Sequence, residues 1–140
     1  MTAVVAVVSV SVRNASRAKA KALATKYTQE GIEYFRAQRN IMGWETFWST
    51  TGGQVGTHTS AACLVTLPYT STGGLQNVMN TDCAGNQYID ARQIYQRTAT
   101  VTTSQIGGKD TVNVAVTVTW TDGNRTNNST ATLQLQQSQN

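Results

Sequence analysis

The chain has 140 residues, which suits one domain with a real but modest core. Only 13% of it is charged, about half the usual ~25%. Thr, Ser, Asn and Gln take the place of charge, as on secreted and cell-surface β proteins and unlike a Lys/Glu-rich cytosolic surface. The net charge of +4 is a weak argument for nucleic-acid binding, and one His with two Cys and no CxxC leaves too few ligands for a zinc site.

In chain order, the first segment is apolar from Ala3 to Val12 and ends at Arg13. This run of ten residues, eight of them apolar with Ser9 and Ser11 between, is half of the ~20 that a membrane-spanning helix needs. A signal peptide would carry its positive charge before the run, whereas here the charge comes after it. The run therefore reads as the last part of a longer apolar helix, with about a dozen or more residues expected upstream of Met1. Arg13, Arg17, Lys19, Lys21 and Lys26 all precede the first acid, Glu30. A basic segment beside an apolar one points to a membrane surface or another anionic partner.

From Arg17 to Arg39 the residues are mostly good helix formers, with no Pro. Ala20, Leu23, Ala24, Tyr27, Gly31, Tyr34, Phe35 and Ile41 share one face at helical spacing, opposite Lys19, Lys26, Gln29, Glu33 and Arg36. The spacing predicts one helix over 1–40, apolar on every face over 1–12 and amphipathic over 13–40. Ile32 falls on the polar side, either to pack on a neighbouring chain or as a stray exposed residue. Glu33 and Arg36 can make only a weak i,i+3 contact. Asn40 and Gly43 are stop signals.

Residues 41–140 form the rest of the domain. Trp44, Phe47 and Trp48 make an aromatic cluster, read as a lid on the core, with a sugar- or peptide-stacking site as the sharper alternative. Ser49 to Ser60 reads as a loop, and Ala61 to Leu67 as a short strand ended by Pro68. Tyr69 to Gly85 is long for an irregular connection, where a covalent staple or a function is expected. Cys63 and Cys83 fit one structural disulfide formed in an oxidising compartment, the alternative being two buried thiols. Tyr95–Thr102, Val112–Thr121 and Thr130–Leu135 alternate apolar with polar, separated by turns at Ile106–Asp110 and Asp122–Asn124. This predicts a three-stranded antiparallel meander with one apolar face, and the amphipathic helix is the one long element able to cover it. The expected fold is α+β: a long N-terminal helix packed on one antiparallel sheet, with a disulfide-stapled connecting region. The expected core contacts are Leu23, Tyr27, Tyr34 and Phe35 of the helix against Val112, Val114, Val116, Val118, Trp120, Leu133 and Leu135 of the sheet.

Catalytic signals are weak. His58 sits in a Gly56–Ser60 loop, and no nucleophile-elbow pattern surrounds any Ser. Glu30 and Glu33 could do acid/base work as a pair, but beside Lys26, Arg36 and Arg39 they read as a surface charge array. Gly52-Gly53, Gly73-Gly74 and Gly107-Gly108 lack phosphate-loop spacing. Asn124-Arg125-Thr126, Asn127-Asn128-Ser129 and Asn128-Ser129-Thr130 match the N-glycosylation pattern, and also suit a polar turn. The expectation is a non-enzyme with no cofactor, no metal and no small-molecule substrate.

Several segments resemble the type IV pilin and pseudopilin superfamily. Ala24-Thr25-Lys26-Tyr27-Thr28-Gln29-Glu30-Gly31-Ile32-Glu33-Tyr34-Phe35-Arg36 is similar to the helix segment of one group of pilin-like proteins. Arg39-Asn40, Gly43-Trp44 and Phe47 resemble the segment after that helix, and Val116 to Gly123 the penultimate strand and its turn. The family's processing Gly, N-methylated residue and Glu at the fifth mature position have no counterpart in Met1-Thr2-Ala3-Val4-Val5. The resemblance implies a helix whose N-terminal half sits in the inner membrane before assembly and in the filament core afterwards. It makes Val4, Val5, Val7, Val8, Val10 and Val12 the assembly helix, whose burial is worth ~10 kcal/mol gross. Arg13, Arg17, Glu30, Glu33 and Arg36 become candidate intersubunit charges. The expected role is structural, in an extracellular helical filament of pilin-like subunits. A DNA- or surface-ligand-binding headpiece and a secretion pseudopilin are the alternatives.

Overall fold

The computed structural model describes residues 2–54, 56–69, 74–79, 81, 83, 85 and 87–137, with side chains from residue 10 onward. Helix α1 (Thr2–Met42) runs without a break for 41 residues. Its Ala, Lys, Leu, Gln, Glu and Arg lose little rotamer freedom in a helix. Gly43 separates it from the short helix α2 (Trp44–Thr50). Strands β1 (His58–Cys63), β2 (Tyr95–Ile106), β3 (Lys109–Asp122) and β4 (Arg125–Gln136) form one antiparallel sheet in the order β1-β2-β3-β4. The class is α+β, a helix laid across one sheet.

The expected meander is present and gains a fourth strand. β1 pairs with β2 from His58↔Thr103 to Cys63↔Thr98. The expected strand over Ala61–Leu67 is thus displaced toward the N-terminus, into what reads as a Ser49–Ser60 loop. His58, Thr59 and Ser60 carry no apolar signal, and the ladder on β2 is what makes them a strand. The turn between β2 and β3 is also tighter than Ile106–Asp110. Ile106 pairs with Lys109, and only Gly107-Gly108 lie in the loop. Both take positive φ, +60° and +75°, as the two central residues of a type I′ hairpin turn must.

One face of the sheet is buried. Ala99, Val101, Val112, Val114 and Val116 pack with Ile32, Phe35, Phe47, Leu64, Leu75 and Met79 in the main core. Val118 and Trp120 continue it toward the other end, with Ala24 and Tyr95, against half-buried Leu23 and Tyr27. Tyr34 is buried, while Leu133 and Leu135 of the edge strand are half-buried against the core. The expected helix–sheet contacts therefore form.

Two helix positions are corrected. Ile32 is 3% exposed and belongs to the core, neither stray nor facing a neighbour, and Ile41 is 43% exposed. The buried arc is wider than the apolar stripe and turned toward Thr28 and Ile32. The helix lies in a trough with β4 on that side, where Thr28 Oγ1 approaches Ser129 O at 3.4 Å. On the other side, Gln38 Nε2 donates to Pro68 O at 3.0 Å and the Tyr34 ring meets Tyr69 edge-on. Thr28 and Gln38 are thus buried polar residues that an apolar pattern passes over.

Cys63 and Cys83 form a disulfide, with Cα atoms 5.0 Å apart. It closes a 20-residue separation, worth about 3 kcal/mol by chain entropy. The aromatic segment Trp44–Trp48 is helical and closes the core: Phe47 is buried, and Trp44 stacks on Trp48 at 6.1 Å. The opposite face of the sheet carries Thr98, Thr100, Thr102, Thr117, Thr119, Thr130 and Thr132, with cross-strand hydroxyl contacts such as Thr117–Thr130 at 2.9 Å.

Candidate assembly helix and the base of the headpiece

Near the point where α1 meets the sheet, Arg17 Nε donates to Asp122 Oδ2 at 3.1 Å. Ala20 is the first half-buried residue, and its carbonyl accepts from Tyr95 Oη at 3.3 Å. Residues 10–19 are all exposed, including Val10 at 58% and Val12 at 64%. The helix backbone is continuous back to Thr2. Residues 2–16 therefore run about 22 Å beyond the sheet at 1.5 Å per residue. Val10 and Val12 lie on this projection. Val4, Val5, Val7 and Val8 lie on its helical backbone, and their side chains fall outside the described residues. Among the described residues no helix is long and apolar enough to cross a membrane.

The expected charges divide. Arg13 is exposed and lines a cleft beside the β3–β4 turn. Arg17 is tied to Asp122, Glu33 to Arg36, and Glu30 to Lys26 at 3.8 Å and Arg97 at 3.4 Å. Four of the five thus have partners within the chain. Glu30 and Glu33 are engaged with cations, as the charge-array reading expects. His58 is exposed at the start of β1.

Arg97 is a buried charged residue at the helix–sheet contact. It occupies an inward position of β2, between Tyr95 and Ala99, and its side chain is 4% exposed. Nε donates to Leu64 O and Nη1 to Tyr27 O, each at 3.0 Å, with Glu30 Oε2 at 3.4 Å. One guanidinium therefore joins the sheet, the helix and the start of the connecting region. Burial pulls its pKa down from the ordinary arginine value, and the Glu30 carboxylate pushes it back up. A lone charged residue at an inward position of an alternating strand is the signal that could have found it.

Beside the Arg17–Asp122 pair lies a cleft of about 670 Å3 between α1 and the segment before β2, with Leu23, Tyr27, Tyr95 and Trp120 among its walls. That segment is held in shape by Asp90, whose Oδ1 accepts from the backbone N–H groups of Ile94 at 2.9 Å and Tyr95 at 3.0 Å. It places Arg92 at the cleft.

Compared with protein-family models, curated proteins and solved structures, the chain has no match.

Proposed function

We propose that this chain is a structural subunit of an extracellular, type IV pilus-like helical filament, held at the membrane by its N-terminal helix before assembly. The observation that carries the reading is the projecting helix. These four valine-rich turns are the weak end of a helix nucleated on the sheet, because β-branched residues lose side-chain freedom and the described side chains there, Val10 and Val12 among them, gain no packing within the chain. Packing among equivalent helices of other copies supplies what the segment lacks, burying Val10 and Val12 with the rest of the run. The headpiece, residues 17–137, has its own core, sheet and disulfide, so it folds around the helix without needing that packing.

The test is the double variant Val7→Asp with Val10→Asp. A carboxylate buried in an apolar bundle without a partner costs far more than the valine it replaces contributed. The expected outcome is loss of filaments by electron microscopy, with the headpiece retaining its circular dichroism spectrum and melting transition. Normal filaments from this variant would contradict the proposal.

A further inference from the structure

Among the described residues, positive charge is concentrated at one end of the headpiece. Six cations surround the point where α1 leaves the sheet: Arg13, Arg17, Lys19 and Lys21 from the helix, Arg92 from the segment before β2, and Arg125 from the start of β4. They line three adjoining clefts of about 670, 370 and 210 Å3 that share Arg17 and Asp122. Among the described residues, only two carboxylates sit with them. Asp122 is paired with Arg17, and Asp90 is occupied with backbone N–H groups. Six cations against two carboxylates give this end +4, whereas among the described residues elsewhere five cations face four carboxylates.

The arrangement is a ring and not a stripe. At about 100° per residue, Arg13, Arg17 and Lys21 lie on one side of the helix and Lys19 on the other. Arg92 and Arg125 extend the ring on two flanking elements that are far apart in sequence. A nucleic-acid duplex would follow a stripe or groove, whereas a charged plane crossed by the helix axis meets a ring all at once. The ring begins one residue after the apolar run ends at Val12. From Arg13 to Lys21 it spans about 12 Å along the axis, comparable with a headgroup layer of roughly 5–8 Å per leaflet plus a Debye length of about 8–10 Å.

We infer that this basic collar docks on anionic phospholipid headgroups, seating the headpiece on the membrane before assembly and setting the depth at which the apolar helix leaves it. The inference rests on the membrane-held stage of the filament reading. Each engaged cation contributes about fivefold to partitioning onto an anionic surface.

The whole chain is sedimented with vesicles of phosphatidylcholine alone, and with vesicles in which a third of the lipid is phosphatidylglycerol. Lys19→Glu, Lys21→Glu and Arg92→Glu are combined in one variant, all at exposed positions. The expected result is a phosphatidylglycerol-dependent gain of at least a hundredfold that falls with added salt and disappears in the triple variant. Equal partitioning on the two vesicle types, or an undiminished gain in the triple variant, would overturn the inference. So would salt-sensitive capture of duplex DNA without a phosphatidylglycerol gain. Partitioning onto the neutral vesicles and filament formation by the unaltered chain report on the apolar helix, so failure of the collar is distinguishable from failure of the filament reading.

Discussion

At the residue scale, Arg97 and Tyr34 show what holds the helix to the sheet. Arg97 has little water to return to, and its two carbonyl partners lie on different segments. Removing it leaves Leu64 O without its donor and opens a gap under the helix. Arg97→Ala should therefore destabilise the fold by roughly 2–4 kcal/mol. Glu30 is half-exposed, so Glu30→Gln should cost under about 1 kcal/mol. Denaturant unfolding followed by tryptophan fluorescence separates the two; equal costs would mean that the ion pair, and not the carbonyl contacts, fixes the helix.

Tyr34 gives the pH dependence. Its hydroxyl is buried without a hydrogen-bond partner among the described residues. Burial, with a smaller contribution from Tyr69, pushes its pKa up to about 12 from 10.0. The folded state therefore favours the neutral phenol. Its contribution is fully present below pH 10 and is lost between about pH 10 and 12, where the unfolded chain ionises first. Tyr95 is shifted upward too, chiefly by burial. Tyr34→Phe should keep or raise stability at pH 7 and flatten the alkaline loss without abolishing it. An unchanged alkaline profile in melting scans would refute this account of Tyr34.

At the element scale, the decisive contact is the approach of α1 to β3 at Gly31. A methyl group there would come 2.7 Å from Val116 Cγ1 and 3.3 Å from Arg97 Cδ. Gly31→Ala gains about 1 kcal/mol of helix propensity but overpacks a rigid contact, typically at a cost of about 1–3 kcal/mol. The expected net effect is destabilisation of about 1 kcal/mol. Val116→Ala makes room, so the double variant should be more stable than the sum of the single effects by about 1 kcal/mol. Strict additivity in unfolding measurements would show that the helix shifts instead.

This scale also shows what the sequence could and could not convey. The alternation of Tyr95–Val101, Val112–Trp120 and Ala131–Leu135 is legible because each strand has one face in the core and one in water. β1 is not, because its pairing with β2 comes from tertiary context and not from its polar text. Ile32 and Thr28 are misplaced by the pattern for a related reason. The apolar stripe marks a direction on the helix, whereas the buried arc depends on what flanks it, here β4 and the segment around Pro68. The projecting helix is legible from Ala3–Val12 and the Arg13 that ends the run. The collar is only half legible, since Arg92 and Arg125 join it through folding.

At the scale of the whole molecule, three surfaces differ in chemistry: an apolar projecting helix, a basic collar at its exit, and a sheet face of neutral threonines. Helix and collar follow one another along α1, and the threonine face lies across the sheet from it, which suits the proposed subunit that leaves a membrane, buries its helix among its own copies and turns an uncharged face outward. In that account the helix supplies association energy, while the core and the disulfide keep the headpiece folded in both settings.

The most direct test is photocrosslinking from position 12 in purified filaments, using a photoreactive amino acid in place of exposed Val12 and mass spectrometry to locate the adducts. The account predicts adducts on residues 2–16 of another copy. Adducts confined to the same chain's headpiece, or no crosslink between copies, would contradict it.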